Sequence, residues 1–296
     1  MRIACIGEAM VELSLDGSGT SAQLGFAGDT LNTAIYLKRA APGLQVDFVT
    51  RLGRDDFSAK LRDFAASEGL GTGDIEVSET QRVGLYAITT DDAGERSFTY
   101  WRDSSAARDM FQTDNSVSFD ALDKYDLLYL SAITLAILPA KVRLELCNWL
   151  VGYRARGGLV SFDSNYRPAL WTDDATARAA IGQMWEMTDI ALPSVDDEMA
   201  AFGDNSVDEV AARLRGAGIT RGALKCGPDG PMSLGDAVTA SYPPAEKVVD
   251  TTAAGDSFNG GYLAALQTGA TQAEALMAGH RLASHVVGCK GAIVPL

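Results

Sequence analysis

The chain has few basic residues for its size, and this shortage limits the partners that it can bind. Its 296 residues include 25 Lys and Arg against 39 Asp and Glu, which gives a net charge of −14 at pH 7. Nucleic acids and anionic membrane surfaces are both held through a surplus of Lys and Arg. We therefore expect neither as a partner, and an anionic substrate would need local basic residues that act against the overall field.

Cysteine is scarce, and long uncharged apolar runs are absent. The four cysteines are widely spaced and form no C-x-x-C pair: Cys5, Cys147, Cys226 and Cys289. This pattern predicts reduced thiols in a cytoplasmic protein. The stretch MRIACIGEAMVEL meets acidic residues at Glu8 and Glu12 and carries no cleavage site, so we expect no signal peptide. No stretch reaches membrane-spanning length without charge.

Two glycine-rich nucleotide-binding signatures are also missing. The sequence has no G-x-x-x-x-G-K-[ST] phosphate loop, and IGEAM after the first predicted strand does not complete G-x-G-x-x-G. The missing dinucleotide fingerprint argues against a nicotinamide-dependent dehydrogenase. The two histidines, His280 and His285, lie five positions apart without the Glu of a zinc signature, so we expect structural roles for both.

A regular alternation of strand-like and helix-like segments begins near residue 120. The runs YDLLYLS, LVSFDSN and IALPSV alternate with helix-like runs such as PAKVRLELCNWLVGYRARG. This alternation predicts a mostly parallel sheet with helices on both faces. Earlier in the chain, VGLYAITT and RSFTYWR flank the turn-forming DDAGE and predict a hairpin within a small β-rich excursion. Two helices at roughly 255–268 and 271–287 are expected to close the chain.

The stretch DTTAAGDSF, residues 250–258, leads into the first of these two helices. Ala253, Ala254 and Gly255 are small enough to let an anion approach the unpaired N–H groups of a helix start. Asp256 would then stand beside the bound anion, where it could accept a proton from an attacking hydroxyl. The alternative is that Asp256 only caps the helix.

Two other stretches place glycine and polar residues at predicted element ends. LKCGPDG, residues 224–230, follows Lys225 with a turn that could wrap a nucleotide phosphate or simply connect two elements. FAGDTLNTA, residues 26–34, places Asp29 and Asn32 at a predicted helix start. Their side chains could bind the hydroxyls of a polyol, or Asp29 could act as a helix cap.

Charged residues in three more stretches could bind anions or a metal. Arg102 in YWR and Arg167 in NYRPALW could each hold a carboxylate or phosphate through paired hydrogen bonds. A surface ion pair is the alternative for either arginine. Glu198 in SVDDEM could hold Mg²⁺ directly or through water, although acids are also common at helix starts.

The order of these motifs along the chain is more informative than any one of them. A GGD-like segment near residue 28, YWR near 101, NYRP near 166, K-x-G-x-x-G near 225 and DTTAAGDSF together resemble the ribokinase/PfkB family of sugar kinases, over essentially the whole chain. The signature D-T-x-x-A-G-D is the most specific of them. FAGDTLNTA, GLY at 84–86, YWR, NYRPALW and KGAIVP at 290–295 are similar to the branch that contains kinases of 2-keto-3-deoxygluconate.

The resemblance implies a single ribokinase-like α/β domain over residues 1–296. A small β-sheet lid would come from segments within about 10–25 and 83–102. The implied activity is transfer of a phosphoryl group from ATP, with Mg²⁺, to the terminal hydroxyl of a sugar. Lid sheets in this family often pair between subunits, so we expect a homodimer or a larger homo-oligomer.

The resemblance also implies roles for individual residues. Asp256 would be the general base, and the N–H groups of Ala253, Ala254, Gly255 and Asp256 would bind the migrating phosphoryl group. The substrate would contact Gly28, Asp29, Asn32, Tyr86, Tyr100, Arg102, Arg167 and Asp256. The nucleotide would contact Asn165, Arg167, Lys225, Gly227, Gly230, Ala253 and Gly255, and its adenine end would contact the segment around Cys289 to Ala292. Glu198 would be the residue linked to the metal.

Three positions depart from the family pattern. The usual GAGD reads AAGD, and Ala253 is compatible with the motif if its φ is negative. Ala27 replaces the first glycine of GGD and narrows the sugar pocket slightly. Val195 stands where the metal-linked N-x-x-E has Asn, so only Glu198 of that pair is present.

The substrate prediction rests on charge. Arg102 and Arg167 favour an acid sugar, because ribose and fructose carry no carboxylate for them to bind. A charge-assisted pair of hydrogen bonds contributes roughly 1.5–3 kcal/mol. We therefore predict phosphorylation of 2-keto-3-deoxy-D-gluconate to its 6-phosphate. The alternatives are a fructokinase or ribokinase type of enzyme, a non-catalytic sugar-binding paralogue and, less favoured, a dehydrogenase.

Overall fold

The computed structural model of the protein describes residues 1–16, 20–90, 96–112 and 117–296, without the side chains of Thr90 and Arg96. The predicted DDAGE turn, residues 91–95, lies outside this part of the chain. The strands are β1 Arg2–Ile6, β2 Met10–Leu15, β3 Ala22–Ala27, β4 Gln45–Leu52, β5 Ile75–Val77, β6 Gly84–Thr90, β7 Arg96–Trp101, β8 Leu127–Ser131, β9 Leu159–Asp163, β10 Ile190–Ala191, β11 Ala223–Lys225 and β12 Pro231–Ser233. The helices are α1 Asp29–Ala40, α2 Asp56–Ser67, α3 Ala132–Ile137, α4 Ala140–Ala155, α5 Asp174–Glu186, α6 Val195–Phe202, α7 Val207–Gly216, α8 Ala254–Gln267 and α9 Gln272–Val287.

A six-stranded sheet in the order β10-β9-β8-β1-β4-β5 forms the centre, and every neighbouring pair in it is parallel. The chain leaves β1 toward β4 on one side and later returns to β8 on the other. In open α/β sheets, ligands bind beyond the carboxyl ends of the strands at such a reversal of strand order. Polar residues end or follow the strands at this edge, namely Glu8, Ser131 and Asp163.

Helices cover both faces of this sheet, because alternate strand residues point to opposite sides. Ile6 and Phe162 pack with α4, α5 and α7 on one face. Ile3 and Phe48 pack with α1, α8 and α9 on the other face. The predicted α/β fold with a parallel sheet between two helical layers is therefore confirmed.

A second sheet of four strands, in the order β3-β2-β6-β7, projects from the first part of the chain. The outer pairs are antiparallel, and β2 and β6 run parallel. One face of this small sheet packs Met10, Tyr86 and Ile88 against Ala27 and Ala292. Because Ala292 follows α9, this packing ties the small sheet to the end of the helical layer that contains α8.

None of the helices among the described residues combines the length and the apolar character needed to cross a bilayer.

Candidate active site

The turn that leads into α8 is held by Asp250. Its carboxylate accepts hydrogen bonds from the backbone N–H groups of Thr252 at 3.0 Å and Gly291 at 2.7 Å. The turn ends at Ala253, whose carbonyl accepts the first helical hydrogen bond from the N–H of Ser257 at 2.8 Å. The start of α8 is thereby fixed from two directions.

Ala253 has a left-handed backbone, with φ 60° and ψ 16°. A residue with a Cβ pays about 1–2 kcal/mol in this region, which glycine occupies without that penalty. The condition under which the sequence analysis accepts AAGD, a negative φ at Ala253, is therefore not met. Glycine is usual at this position in the family because it adopts the left-handed conformation without strain, whereas Ala253 adopts it with strain.

The first turn of α8 presents backbone donors to an anion. The N–H groups of Gly255 and Asp256 lie within that turn and have no acceptor inside the helix. The N–H of Ala254 is engaged with the carbonyl oxygen of Thr251 at 3.2 Å. The positive end of the helix dipole adds to these donors, so the turn is suited to hold a phosphoryl group.

Asp256 lies in this turn with its carboxylate partly buried. The side-chain amide of Asn32, on α1, donates a hydrogen bond of 2.8 Å to Oδ2 of Asp256. Burial raises the pKa of Asp256 to about 7, and the negative charge of Asp29 adds to the rise, while the Asn32 hydrogen bond opposes it. A carboxylate with a pKa near 7 can accept a proton at neutral pH and release it again.

Gly28 and Asp29 form the start of α1 beside this carboxylate. A Cβ on Gly28 would lie 2.2 Å from the carbonyl oxygen of Glu8, so only glycine fits there. The carboxylate of Asp29 accepts a hydrogen bond of 2.8 Å from the side chain of Asn165, beyond the end of β9. Burial raises the pKa of Asp29 as well. The predicted sugar residues Gly28, Asp29 and Asn32 therefore do lie together beside Asp256.

The residues predicted on the lid are held by acids that the motifs did not identify. Arg102 is buried and forms an ion pair with Glu8, in which Nε and Nη2 donate to one carboxylate oxygen, Nε at 2.9 Å. The hydroxyl of Tyr86 donates to Glu12. Tyr100 is half exposed, and its ring centroid lies 5.7 Å from that of Tyr86. Arg102 is therefore already engaged with a carboxylate of the protein itself.

Arg167 is the second predicted arginine, and its environment is different. Its Nη1 donates to the carbonyl oxygen of Tyr166 at 2.7 Å and to Asp197 at 3.2 Å. The Arg167 side chain is 53% exposed. An ion pair this exposed is worth only about 0–1 kcal/mol, so Arg167 can exchange its partner at little cost.

Lys225 is buried at the end of β11 in a polar network. Its ammonium donates to Asp163 at 2.7 Å and to Asn259 at 3.2 Å. Asn259 in turn donates to Asp163 at 2.7 Å and to the Tyr129 hydroxyl at 2.9 Å. The predicted nucleotide residue Lys225 therefore lies next to the first turn of α8, among polar residues that the motifs did not identify.

Three of the predicted nucleotide residues remain, namely Gly227, Gly230 and Cys289. Gly230 has φ 81°, and a Cβ there would lie 2.7 Å from the ring of Tyr242. Gly227 also has a positive φ of 55°. Cys289 lines a cavity of about 460 Å³ together with Pro243, Lys247, His280 and Gly288. The cavity borders the segment that leads into the Asp250 turn, and its volume is within the usual range of ligand sites.

Glu198, the residue that the sequence links to the metal, is engaged inside the protein. Its side chain is completely buried, and its carboxylate accepts a hydrogen bond of 2.8 Å from Arg213. The guanidinium already neutralises this charge, so a divalent cation would gain little there. Among the described residues, no group of three His, Cys, Asp or Glu side chains could hold a metal ion.

Sequence reasoning missed Glu8, Glu12, Asp163 and Asn259. Asp163 ends a buried parallel strand and Glu8 lies two positions after another, where an acid is unusual unless it is paired. That signal could have identified both. Asn259 lies three positions after Asp256 on the same helix, which is the spacing of side chains that share a helical face.

The arrangement as a whole suits phosphoryl transfer to a hydroxyl. A carboxylate that can accept a proton stands beside backbone donors for an anion, and the amide and carboxylate groups of α1 face it. Phosphoryl transfer needs mainly positioning and charge stabilisation. The geometry supplies positioning and charge stabilisation where α1 meets the first turn of α8.

Comparisons with known proteins agree with this geometry. The 2-dehydro-3-deoxygluconokinases of Escherichia coli (strain K12) and Dickeya dadantii (strain 3937) are 42% and 44% identical to this chain, and each alignment covers 99% of this chain and 97% of the relative. A PfkB protein from Polaromonas sp. JS666 has a crystal structure that superimposes with a TM-score of 0.84 at 26% identity, over 98% of this chain and 96% of that chain. The model of the pfkB family of carbohydrate kinases matches residues 1–296. This chain therefore belongs to the pfkB carbohydrate kinase family.

Proposed function

We propose that the protein transfers the γ-phosphoryl group of ATP to the terminal hydroxyl of 2-keto-3-deoxy-D-gluconate, which is the same compound as 2-dehydro-3-deoxygluconate. The products are the 6-phosphate and ADP. The observation that carries the proposal is the 42–44% identity, over nearly full length, to two curated 2-dehydro-3-deoxygluconokinases. The position of Asp256 beside the anion-binding turn of α8 supports it independently.

In this proposal, Asp256 accepts the proton of the terminal hydroxyl. The hydroxyl oxygen forms a bond to the γ-phosphorus, the bond to the β–γ bridging oxygen breaks, and ADP leaves with that electron pair. The N–H groups of Gly255 and Asp256 stabilise the charge on the migrating group. The donors are already in place before reaction, so little reorganisation is needed.

ATP is proposed to arrive with Mg²⁺. The ion would be held by phosphate oxygens and water, which is its usual coordination at nucleotide sites. Mg²⁺ supplies neutralisation of phosphate charge when it is bound. The base of the nucleotide would occupy the cavity that Cys289 lines.

The two arginines would contribute unequally to carboxylate recognition. Opening the buried pair of Arg102 with Glu8 would leave an uncompensated charge, which costs about 3–5 kcal/mol. Releasing Arg167 from Asp197 costs at most about 1 kcal/mol. We therefore assign the substrate carboxylate mainly to Arg167, while Arg102 keeps Glu8 and offers its remaining Nη1 donor.

The setting of the enzyme follows from the same proposal. The small β-sheet would act as a lid that excludes water from the transfer step. A cytoplasmic location would supply ATP, and it suits the four cysteines, which are all unpaired. We propose no nucleic acid or membrane partner, in keeping with the net charge of −14.

The proposal is tested by ATP-dependent ADP release with 2-keto-3-deoxygluconate beside fructose and ribose. The acid sugar should have the highest kcat/KM, and the variant Arg167→Met should reduce its advantage over fructose roughly 10- to 100-fold, since one charge-assisted pair is lost. Arg156→Met is the matched control, because Arg156 is also 53% exposed and pairs with Asp123 at 2.5 Å.

Each alternative predicts a different result in this assay. Equal or better turnover of fructose or ribose would favour a neutral-sugar kinase and overturn the substrate assignment. No turnover of any sugar by a protein that binds an ATP analogue would favour a non-catalytic paralogue.

A further inference from the structure

Lys225 lies in a polar network to which the proposed reaction assigns no role. Its side chain is only 9% exposed, and its ammonium lies between the carboxylate of Asp163 and the amide oxygen of Asn259. Asp163 is itself buried, and its second carboxylate oxygen accepts the backbone N–H of Asn165 at 3.1 Å. Three elements, β9, β11 and α8, therefore meet at one ion pair.

The ammonium lies next to the proposed phosphoryl site. A Cβ built on Gly255 would stand 3.4 Å from Nζ of Lys225. The network also continues toward the base, because the Thr33 hydroxyl lies 3.2 Å from the hydroxyl of Tyr129 and 3.3 Å from the carbonyl oxygen of Asp256. A positive charge is thus held beside the turn whose N–H groups would bind the phosphoryl group.

Stability alone is a poor reason for this arrangement. A buried ion pair rarely improves on well-packed apolar side chains, since the desolvation cost offsets the attraction. A permanent positive charge beside an anion site has a functional use, because it favours anion binding in a protein whose net charge is −14. A buried ammonium stays protonated only while a carboxylate compensates it.

We propose that Asp163 is a positioning residue for phosphoryl transfer, which keeps Lys225 charged and aimed at the first turn of α8 so that its ammonium strengthens the binding of the nucleotide phosphates. The inference rests on the proposed function, because it needs phosphates at that turn. Asn259 supports this arrangement, because it holds the ammonium against the helix that carries Asp256.

Other ionisable groups also face this pair and bear on its pH dependence. The charge of Lys225 opposes the rise in the pKa of Asp256 on α8 and of Asp197 on α6. The charge of Asp163 contributes to the raised pKa of Asp29 on α1 and of Tyr129 on β8. Because Asp163 and Lys225 both contribute to the pKa of Asp256, all proteins are compared in an Asp256→Asn background, as the ratio of a variant's dissociation constant to that of the background at each pH.

The test is calorimetric binding of the non-hydrolysable analogue adenylyl imidodiphosphate with Mg²⁺ at pH 6, 7.5 and 9. Lys225→Met should weaken binding by about 10- to 100-fold at every pH, because one charge-assisted contact is lost. Asp163→Asn should weaken it by less than about threefold at pH 6 and approach the Lys225→Met value at pH 9, as the unpaired ammonium loses its proton. The double variant should match Lys225→Met alone.

A control and a second route keep the test decisive. Asp189→Asn removes a carboxylate from the opposite edge of the same sheet, where it pairs with Arg154 at 2.7 Å, and it should leave binding unchanged. An Asp163→Asn loss that does not vary with pH, or losses that add in the double variant, would overturn the inference. If Asp163→Asn does not fold, unchanged binding by Lys225→Met overturns it equally.

The binding assay uses no sugar, so it separates this inference from the substrate assignment. Wild type that binds the analogue but does not phosphorylate 2-keto-3-deoxygluconate would refute only the substrate assignment. Wild type that fails to bind the analogue would refute both.

Discussion

The side-chain amide of Asn32 lies 2.8 Å from Oδ2 of Asp256 and joins α1 to the first turn of α8. The bond links the proposed sugar-binding residues to the proposed base. It also opposes the three factors that raise the pKa of Asp256 to about 7, which are burial and the charges of Asp29 and Asp163. The protonation of Asp256 therefore depends in part on residues of α1.

A pH profile of kcat/KM should report this balance. The base must be deprotonated to act, so activity should rise with pH and reach half its maximum near pH 7 in the free enzyme. Asp29→Asn removes a negative charge, lowers the pKa of Asp256 and should move the midpoint to lower pH. Asn32→Ala removes a bond to the charged form and should move the midpoint to higher pH. A midpoint that neither variant moves would contradict the assignment of Asp256 as the titrating group.

Ala253 offers a prediction about stability. Ala253→Gly should raise the free energy of unfolding by up to about 1 kcal/mol, because the left-handed penalty exceeds the entropic cost of glycine. Ala254→Gly is the matched control, since Ala254 begins the helix with a negative φ and should lose about 0.5–1 kcal/mol. Urea unfolding measures both. Equal losses in the two variants would contradict the strain assigned to Ala253.

The buried ion pair of Glu8 with Arg102 predicts that substitutions at the two positions have non-additive effects on stability. Arg102→Gln alone should destabilise the protein by about 3–5 kcal/mol, because it leaves the Glu8 carboxylate buried and unpaired. Combining it with Glu8→Gln should recover much of that loss. The measurement is a double-mutant cycle in urea, and additive losses would show that the two side chains do not depend on each other.

The small β-sheet predicts an oligomer. Leu24 and Trp101 lie on the face opposite Tyr86 and are 40% and 59% exposed, and an apolar sheet face with open edges favours a partner. Light scattering should give a homodimer or larger assembly, and Trp101→Glu should dissociate it. Leu144→Glu, at a 54% exposed position on α4, should leave the assembly intact. A monomeric wild type at micromolar concentration would refute the prediction.

Much of the fold was predictable because its signals are local. The strand and helix alternation after residue 120 and the start of α1 at Asp29 follow from apolar periodicity and small polar residues at element ends. The helix α2 was missed although its signal is present, since Asp55 caps it and the apolar Phe57, Leu61 and Phe64 follow at helical spacing. Short strands such as β5, with three residues, carry too little pattern to be found this way.

The site was predictable only in part, because the fold determines which side chains distant in sequence become ion-pair or hydrogen-bond partners. The motifs pointed to Asp256, Asn32 and Lys225, which the structure brings together. They could not reveal that Arg102 is paired with Glu8, 94 positions away, or that Glu198 is closed off by Arg213. The backbone angle of Ala253 was also hidden, since alanine normally avoids that conformation.

The most direct test of the account is the turnover of 2-keto-3-deoxygluconate by Asp256→Asn, with binding of the ATP analogue measured on the same protein. Asparagine keeps the shape of the side chain but cannot accept the hydroxyl proton. The account predicts that kcat falls by about 10²- to 10⁴-fold, while the analogue binds as well as in the wild type or better. Turnover within tenfold of the wild type would contradict the role of Asp256 as the base.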